Sequence, residues 1–510
     1  MTVIRQRYER LESERQPFLD RARDAAELTI PSLLPPDGHS AHSKLYTPYQ
    51  GIGARGVNNL SSKMLLALLP PNSPFFRLTV DDFKLQELAQ EEGARAEVEE
   101  ALSSIERAVM TEIESSSTRI AAFEALKHLL VAGNVLLYQP DKGGMRVFHL
   151  DRYIIKRDPM GNPLEIITQE DVAPSALPQE MRELLAENTT DSDTSEDEPV
   201  KLFTQVVRAD GKWNVSQEVA GIPVPEATGT FPLDKSPYIP LRLSRIDGES
   251  YGRGYVEEYQ GDLQSLETLT QAIVEAAAAS AKVLFLVRPN GTTRARVLAE
   301  APNGAIREGD ANDVTTLQVQ KSGDMQIAFQ SSQEIKERLS YAFLMNSSVQ
   351  RNAERVTAEE IRYMASELED ALGGIYSILS QEFQLPLVNR LLLQMQKSKK
   401  VPQLPKGLVS PTIVTGLEAL GRGHDLNKLA AMLDHLTPLG PEVIQKFMNV
   451  GDYITRVGTS LGMDMGGLIK SEEQMQQEEQ QAMAMQTGQQ LAPQAFDAVK
   501  EQMTAQQGNE

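Results

Sequence analysis

Few residues in this chain could do chemistry. Gly51-Ile52-Gly53-Ala54-Arg55-Gly56 has the GxGxxG spacing of a dinucleotide-binding turn. That chemistry needs a strand before the first glycine and an acidic residue about twenty positions later, within a βαβ unit. Here LYTPYQ precedes the glycines, the flanking pattern is helical, and Asp81 and Asp82 come too late. We read the glycines instead as places where a helix packs closely on a neighbour. The six histidines, at 39, 42, 128, 149, 424 and 435, form no HxxxH or HExxH pair and are expected to be exposed. Cysteine is absent, which excludes disulfides, thiolate catalysis and thiolate metal sites. There is no SxxK and no Walker A sequence. Glu359-Glu360, Glu367 and Glu369-Asp370 lie on a predicted helix with Arg362 beside them, a pattern of ordinary surface ion pairing. That leaves Gln350-Arg351-Asn352-Ala353-Glu354-Arg355-Val356. It mixes both charges, has no apolar anchor and joins two predicted helices, so by itself it reads as a solvated loop. We assign no catalytic residue, cofactor or metal, and the chain reads as a non-enzyme.

The elements that carry this loop follow from periodicity. The first thirty residues form an amphipathic pattern ending at Ile30-Pro31, and 50–70 form a second, closed by Pro70-Pro71. Residues 94–118 and 119–138 predict two more helices; in the latter Phe123, Leu126, Leu129 and Leu130 recur at three and four, and the pattern continues through GNVLLY. Strands are predicted at MRVFHL, YIIKR and LEIIT, with DPMGN as a turn, and again at KLFTQVV, KWNVSQEV and YIPLRLSRI. Between them ENTTDSDTSEDE (187–198) is a solvated acidic loop. A long helix at 255–282 carries Val256, Tyr259, Leu263, Leu266, Leu269 and Ile273 as its stripe and ends in EAAAASAK, whose small side chains suit close helix packing. Residues 283–330 then alternate strand-like runs (VLFLVRP, TTLQVQ, MQIAF) with turns, before a helix at 331–349. Thr357 and Glu360 make a capping box that starts a long helix, interrupted at Gly373-Gly374 and Pro386, where kinks are expected. Shorter helices fill 413–470, and the last forty residues, with 12 Gln, form a tail.

With 510 residues and 41% apolar side chains, three or so structural units with real cores are expected. No apolar run is long enough to span a membrane, and no signal peptide opens the chain, so synthesis in a cytoplasm is expected. The net charge of −21 argues against wrapping DNA, because phosphate binding needs cations. It does not argue against a channel whose wall repels phosphates, but on charge alone the simpler reading is a surface that is acidic for solubility.

Longer segments carry a resemblance: YERLESERQPF, ELTIPSLLPPDG, TPYQGIGARGVNNLSSKMLLALLPP, FEALKHLLVAGNVLLY, SRIDGESYGRGYVEEYQGDLQSLETL, ERVTAEEIRYMASELEDALGGIYSILSQEFQLPLV and PTIVTGLEALGRGHDL. In these the chain resembles the portal, or head–tail connector, proteins of short-tailed podophages of the autographivirus type. The acidic stretch 187–198 and the Gln-rich tail depart from the family in detail.

The resemblance implies a mainly α fold with α+β parts, the phage portal fold of wing, stem, clip and crown, assembled into a dodecameric ring. Residues 1–254 would be wing, 255–282 and 331–349 the stem helices, 283–330 the clip, 350–356 the tunnel loop, 357–404 a long kinked wing helix, 405–470 the crown and 471–510 the tail. Gln350, Arg351, Asn352, Glu354 and Arg355 would then face the DNA channel. Tyr259, Leu263, Leu266, Leu269 and Ile273 would be stem packing residues. The implied partners are other copies of the chain, double-stranded DNA, major capsid and scaffold proteins, the terminase large subunit, tail adaptor and nozzle proteins and internal core proteins, in a virion and at no membrane. Twelve helices, each about 10–12 Å wide and laid abreast, enclose a bore of about 30 Å, wider than a DNA duplex. The competing reading is a generic oligomeric scaffold or adaptor without a channel.

Overall fold

A computed structural model describes residues 3–40, 42–71, 74–80, 94–141, 143–188, 198–280, 284–317, 322–345, 372, 374–403, 409–413, 430–439, 451, 453–454 and 457–458. The chain divides into two units, one of Met1–Leu85 and Ser104–Ala419, the other of Gln86–Ser103 and Leu420–Glu510. In chain order the elements are α1 (Ile4–Glu27), α2 (Ile52–Leu68), β1 (Phe76–Val80), α3 (Ala94–Ser115), α4 (Thr118–Ala132), β2 (Asn134–Tyr138), β3 (Arg146–Phe148), β4 (Tyr153–Arg157), β5 (Pro163–Val172), α5 (Gln179–Asn188), β6 (Val200–Ala209), β7 (Lys212–Val219), β8 (Ile222–Pro232) and β9 (Tyr238–Arg242). They continue with α6 (Tyr255–Glu258), α7 (Gln260–Ser280), β10 (Leu284–Val287), α8 (Ala295–Ala299), β11 (Val314–Leu317), α9 (Ser322–Ala342), α10 (Gly374–Leu379), a π-helical turn at Ser380–Gln384, α11 (Leu385–Lys397) and β12 (Val409–Ile413). In the second unit the described residues include a helix over 430–436 and the 3₁₀ turn Thr437–Leu439.

The first unit is built on α4, which is buried almost all round, with Leu126, Leu129 and Leu130 inaccessible. Helices α1 and α2 both pack on it. An antiparallel meander β4-β5-β6-β7-β8 receives α1, with Ile4, Tyr8 and Leu11 meeting Ile154, Ile167 and Phe203. Its hairpins turn at Asp210-Gly211 and Ala220-Gly221, where both residues of each pair have positive φ, the twist that tight hairpins require. Beyond the meander, α5 closes a small core of Leu177, Met181, Val219 and Val224.

Two expectations are corrected, and two segments left unassigned take a definite form. The helix expected through 119–138 stops at Ala132: Gly133 turns left-handed at φ 71° and NVLLY becomes β2, paired with β9. An apolar run of this length is compatible with either state, and the strand partners decided it. Residues 222–232, unassigned from sequence, form β8; Pro223 and Pro225 are tolerated because β8 is an edge strand. Met325–Phe329, expected as a strand, lies in α9, which starts at Ser322. Finally, 409–413 is a strand paired antiparallel with β1. Near Pro386 the interruption is the π turn. Proline lacks an N–H and crowds the turn before it, and the wider turn accommodates both.

Candidate channel helices and their root

The chain enters the helical hairpin of α7 and α9 through YGRGYVEEY. Asn134 grips Gly252 at both backbone ends, its amide donating to the carbonyl at 2.8 Å and its oxygen accepting the N–H at 2.7 Å. A Cβ on Gly254 would lie 2.4 Å from the Val131 carbonyl oxygen, so only glycine passes here. After the single turn α6, the backbone leaves α geometry at Tyr259, with φ −109° and ψ 11°, and restarts as α7. Helices α7 and α9 pack together, and Leu263, Leu266 and Leu339 are fully buried. Arg338 reaches Asp262 at 2.7 Å, an exposed pair of small energetic weight.

At the root, three rings meet. Tyr255, Tyr259 and Phe343 have centroids 5.2–6.0 Å apart, and the Tyr255 hydroxyl donates to the Ala342 carbonyl at 2.8 Å. Phe343 sits over Gly56: a Cβ there would be 2.5 Å from Cγ of the ring. Gly53 lies against the Leu28 carbonyl in the same way, at 2.5 Å. Gly53 and Gly56 are thus packing glycines, as expected, whereas Gly51, at the start of α2, has open space around it.

Glu267 is the unexpected member of the α7 stripe. It is buried, and it accepts from the Tyr46 hydroxyl at 2.5 Å, the Tyr49 N–H at 2.8 Å and the Gln50 N–H at 3.1 Å. The hydrogen bond to Glu267 pushes the Tyr46 hydroxyl up to about 12. Gln50 in turn donates to the Leu28 carbonyl at the end of α1 (2.6 Å) and accepts from the Gly53 N–H at the start of α2 (2.9 Å). One carboxylate thereby ties α7 to the junction of α1 and α2. The sequence held a signal: Glu267 stands four residues after Leu263, on the apolar face, where an unpaired charge is costly.

Helix α9 ends in a Schellman motif, with Leu344 at φ 53°, its N–H on the Tyr341 carbonyl (3.0 Å) and the Met345 N–H on Ser340 (2.8 Å). Asn59 of α2 donates to the Phe343 and Leu344 carbonyls at 2.9 and 3.1 Å, and the Lys63 ammonium donates to Leu344 at 2.9 Å. Sequence reasoning did not find Asn59 or Lys63, because their partners are almost three hundred residues away.

Of the residues expected to matter, Leu263 and Leu266 are fully buried within the protomer, while Tyr259, Leu269 and Ile273 are half-buried. Gln350, Arg351, Asn352, Glu354 and Arg355 lie outside the described residues, as do most of 405–470 and all of 471–510. Between α7 and α9, residues 285–316 bury only two side chains, Thr293 and Asp313, both polar. Asp313 accepts from the Thr292 hydroxyl (3.1 Å) and the Thr293 N–H (3.2 Å), and these bonds hold its carboxyl below the usual range. Phe285, Leu286 and Ile306 are exposed, Ile306 at 99%.

Residues 2–469 match the family model described as bacteriophage head to tail connecting protein. This chain belongs to that family. A portal protein of Escherichia phage T7 is 46% identical over 486 residues, covering 94% of this chain and 90% of that protein. Portal proteins of Enterobacteria phages T3 and SP6 are 45% and 33% identical, over 92% and 94% of this chain and 88% and 92% of theirs. A solved structure described as the neck of an empty GTA particle overlaps 81% of this chain and 90% of that chain at 12% identity and TM-score 0.38, too slight to add to the argument. Among the described residues of this connector-family chain, no helix is long and apolar enough to cross a membrane. No group of three His, Asp or Glu could hold a metal among them either.

Proposed function

We propose that this chain is a structural, non-enzymatic portal subunit. It forms a ring at one vertex of a phage capsid, through which double-stranded DNA is packaged, retained and ejected. The observation that carries this is the match to named portal proteins along nearly the whole chain. The protomer supports it independently. Residues 285–316 have no buried apolar side chain, and α7 and α9 expose Val274, Ile327, Phe329 and Tyr341. A segment so poor in core gains stability from surface that covers it, and contacts around a closed ring would supply that surface.

In this reading the ring has twelve copies and α7 and α9 are the stem. Residues 283–330 act as the clip, which docks the terminase and then the tail adaptor, and 350–356 line the tunnel. Arg351 and Arg355 form rings of positive charge in an acidic bore. They hold phosphates loosely enough to hinder slippage without stopping translocation. Scaffold, capsid and internal core proteins meet the wing and crown, and the protein resides in the virion.

The first test is native mass spectrometry with negative-stain imaging. A species near twelve times 56.3 kDa with a central hole supports the reading. A particle without a hole, even after the phage scaffold is added, favours a scaffold or adaptor instead. Arg351→Ala with Arg355→Ala should then impair genome retention; normal packaging and retention would remove the arginines from the mechanism.

A further inference from the structure

We propose that Glu267 is a positioning residue that fixes the angle at which the α7–α9 hairpin leaves the rest of the first unit. The hairpin's role rests on the portal reading, but the geometry stands in the protomer alone. Pivot and latch are separate. The pivot is the root, where Phe343 sits over Gly56 beside Tyr255 and Tyr259, and where Asn59 and Lys63 take the carbonyls of Phe343 and Leu344. There the helical ladder is broken. Tyr259, at φ −109° and ψ 11°, donates its N–H to Val256 in a tightened turn (3.0 Å), and the Leu263 N–H on the Tyr259 carbonyl (3.0 Å) begins α7 afresh. A helix axis bends most easily where its ladder is interrupted, so the root holds the hairpin's position and leaves its direction open.

The latch lies about two turns along α7. Glu267 is the last buried side chain of this helix: residues 268–280 are half-buried or exposed, and on α9 only Ser332 is buried between 323 and 338. Among the described residues, the hydrogen bonds that join α7 to the rest of the unit all end on Glu267, from the Tyr46 hydroxyl, the Tyr49 N–H and the Gln50 N–H. Bonds to a carboxylate are shorter and stronger than neutral ones, and here they offset the burial of its charge. The donors sit on the segment between α1 and α2. Gln50 is itself bonded to the end of α1 and the start of α2, so the carboxylate meets a fixed frame. At about 1.5 Å per residue, Glu267 stands about 12 Å from the joint at Tyr259, and Ser280, the end of α7, about 31 Å. About 1 Å of slack at the carboxylate therefore becomes about 2–3 Å at the far end of the helix. In the portal reading that movement changes the tilt of the stem and so the width of the bore.

The chain has no cysteine, so two introduced cysteines carry the only spin labels. Glu124→Cys on α4 and Glu275→Cys on α7 fall at exposed positions, and the distance between them reads the hairpin's angle. Double electron–electron resonance is run on the full chain, with labelled protein diluted into unlabelled so that distances arise within one subunit. Wild type should give one narrow distance. Glu267→Gln keeps the shape, loses the charge and turns an amide N–H toward groups that are themselves donors. It should broaden or shift the distribution by about 2–3 Å with ring mass unchanged. Tyr46→Phe removes one of the three bonds at a side chain that is 43% exposed, and should give a smaller change in the same sense. It decides the proposal if Glu267→Gln does not fold. Glu218→Ala, which removes the cap that β7 gives α1, should leave the distance as in wild type. Unchanged distances in Glu267→Gln and Tyr46→Phe, with only a lowered denaturation midpoint, would overturn the proposal and leave Glu267 a buried contact. Equal broadening in Glu218→Ala would overturn it too. If wild type forms no ring, the portal reading falls, and the same distances in the protomer decide the latch: a change confined to Glu267→Gln and Tyr46→Phe supports it, and no change removes it.

Discussion

At the scale of single residues, contact distances fix what a position can hold. Gly56 meets the ring of Phe343 where a Cβ would be 2.5 Å from Cγ, and Phe343 is pinned on its other sides by Tyr255 and Tyr259. Gly56→Ala should lower stability by about 1–3 kcal/mol, the usual cost of overpacking a core. Adding Phe343→Leu should recover part of the loss, and a thermal double-mutant cycle measures the coupling. His128 makes a second case. It was expected to be exposed, but it is buried and stacked on His149 with ring centroids 5.9 Å apart. Burial, with His149 beside it, pushes its imidazole down to about 4 from the ordinary 6.5. Burial works to raise the neighbouring Asp151, but its bond with His149 and the nearby arginines outweigh this and hold that carboxyl below its usual range. Above pH 6.5 His128 is neutral folded or unfolded, and it costs nothing. As pH falls from 6.5 to 4, the unfolded chain takes up a proton that the folded one refuses, so stability drops by up to about 3 kcal/mol. His128→Gln should flatten that part of a stability–pH curve; an unchanged slope would assign the acid sensitivity elsewhere.

At the scale of elements, helix ends explain the long-range order. The N-terminus of α1 has no side-chain cap of its own. Glu218, buried on β7, supplies one, accepting the Ile4 N–H at 2.5 Å and reaching Arg5 at 3.3 Å. A carboxylate at this end also meets the positive pole of the helix. Glu218→Ala should cost about 1–2 kcal/mol and raise hydrogen exchange in the first turns of α1. The end of α4 is set by Gly133, left-handed and so close to Arg253 that a Cβ would sit 2.3 Å from its backbone carbon. Gly133→Ala should therefore do more than remove a cap. It should displace the YGRG entry to α7, seen as loss of folded protein in a denaturation series, whereas Gly143→Ala, left-handed but with open space around it, should cost only about 1–2 kcal/mol.

At the scale of the whole molecule, charge and exposed apolar surface decide the behaviour. A chain of net charge −21 carries a net repulsion between its own copies, which apolar contact can offset. Phe285, Leu286 and Ile306 offer that surface without supporting any core of the protomer. Phe285→Ser combined with Ile306→Ser should therefore leave protomer stability within about 0.5 kcal/mol, as surface changes do. The same pair should lower the fraction of rings in a native mass spectrum. Intact rings would place the subunit contacts elsewhere.

The sequence by itself determined the family, a helix along most of 255–280 and another over 331–342, and the packing role of Gly53 and Gly56. Those rest on local information: long segments of specific residues, a stripe at intervals of three and four, and glycines in a helix without the strand a nucleotide site needs. Only the tertiary structure decided that GNVLLY is a strand, that Met325–Phe329 is helical, and that Glu267, Asn59 and Lys63 are structural anchors. A short apolar run fits helix or strand equally well until β9 pairs with it. A buried polar side chain declares itself only through its partners, and for Lys63 the carbonyl it satisfies belongs to Leu344, 281 residues away.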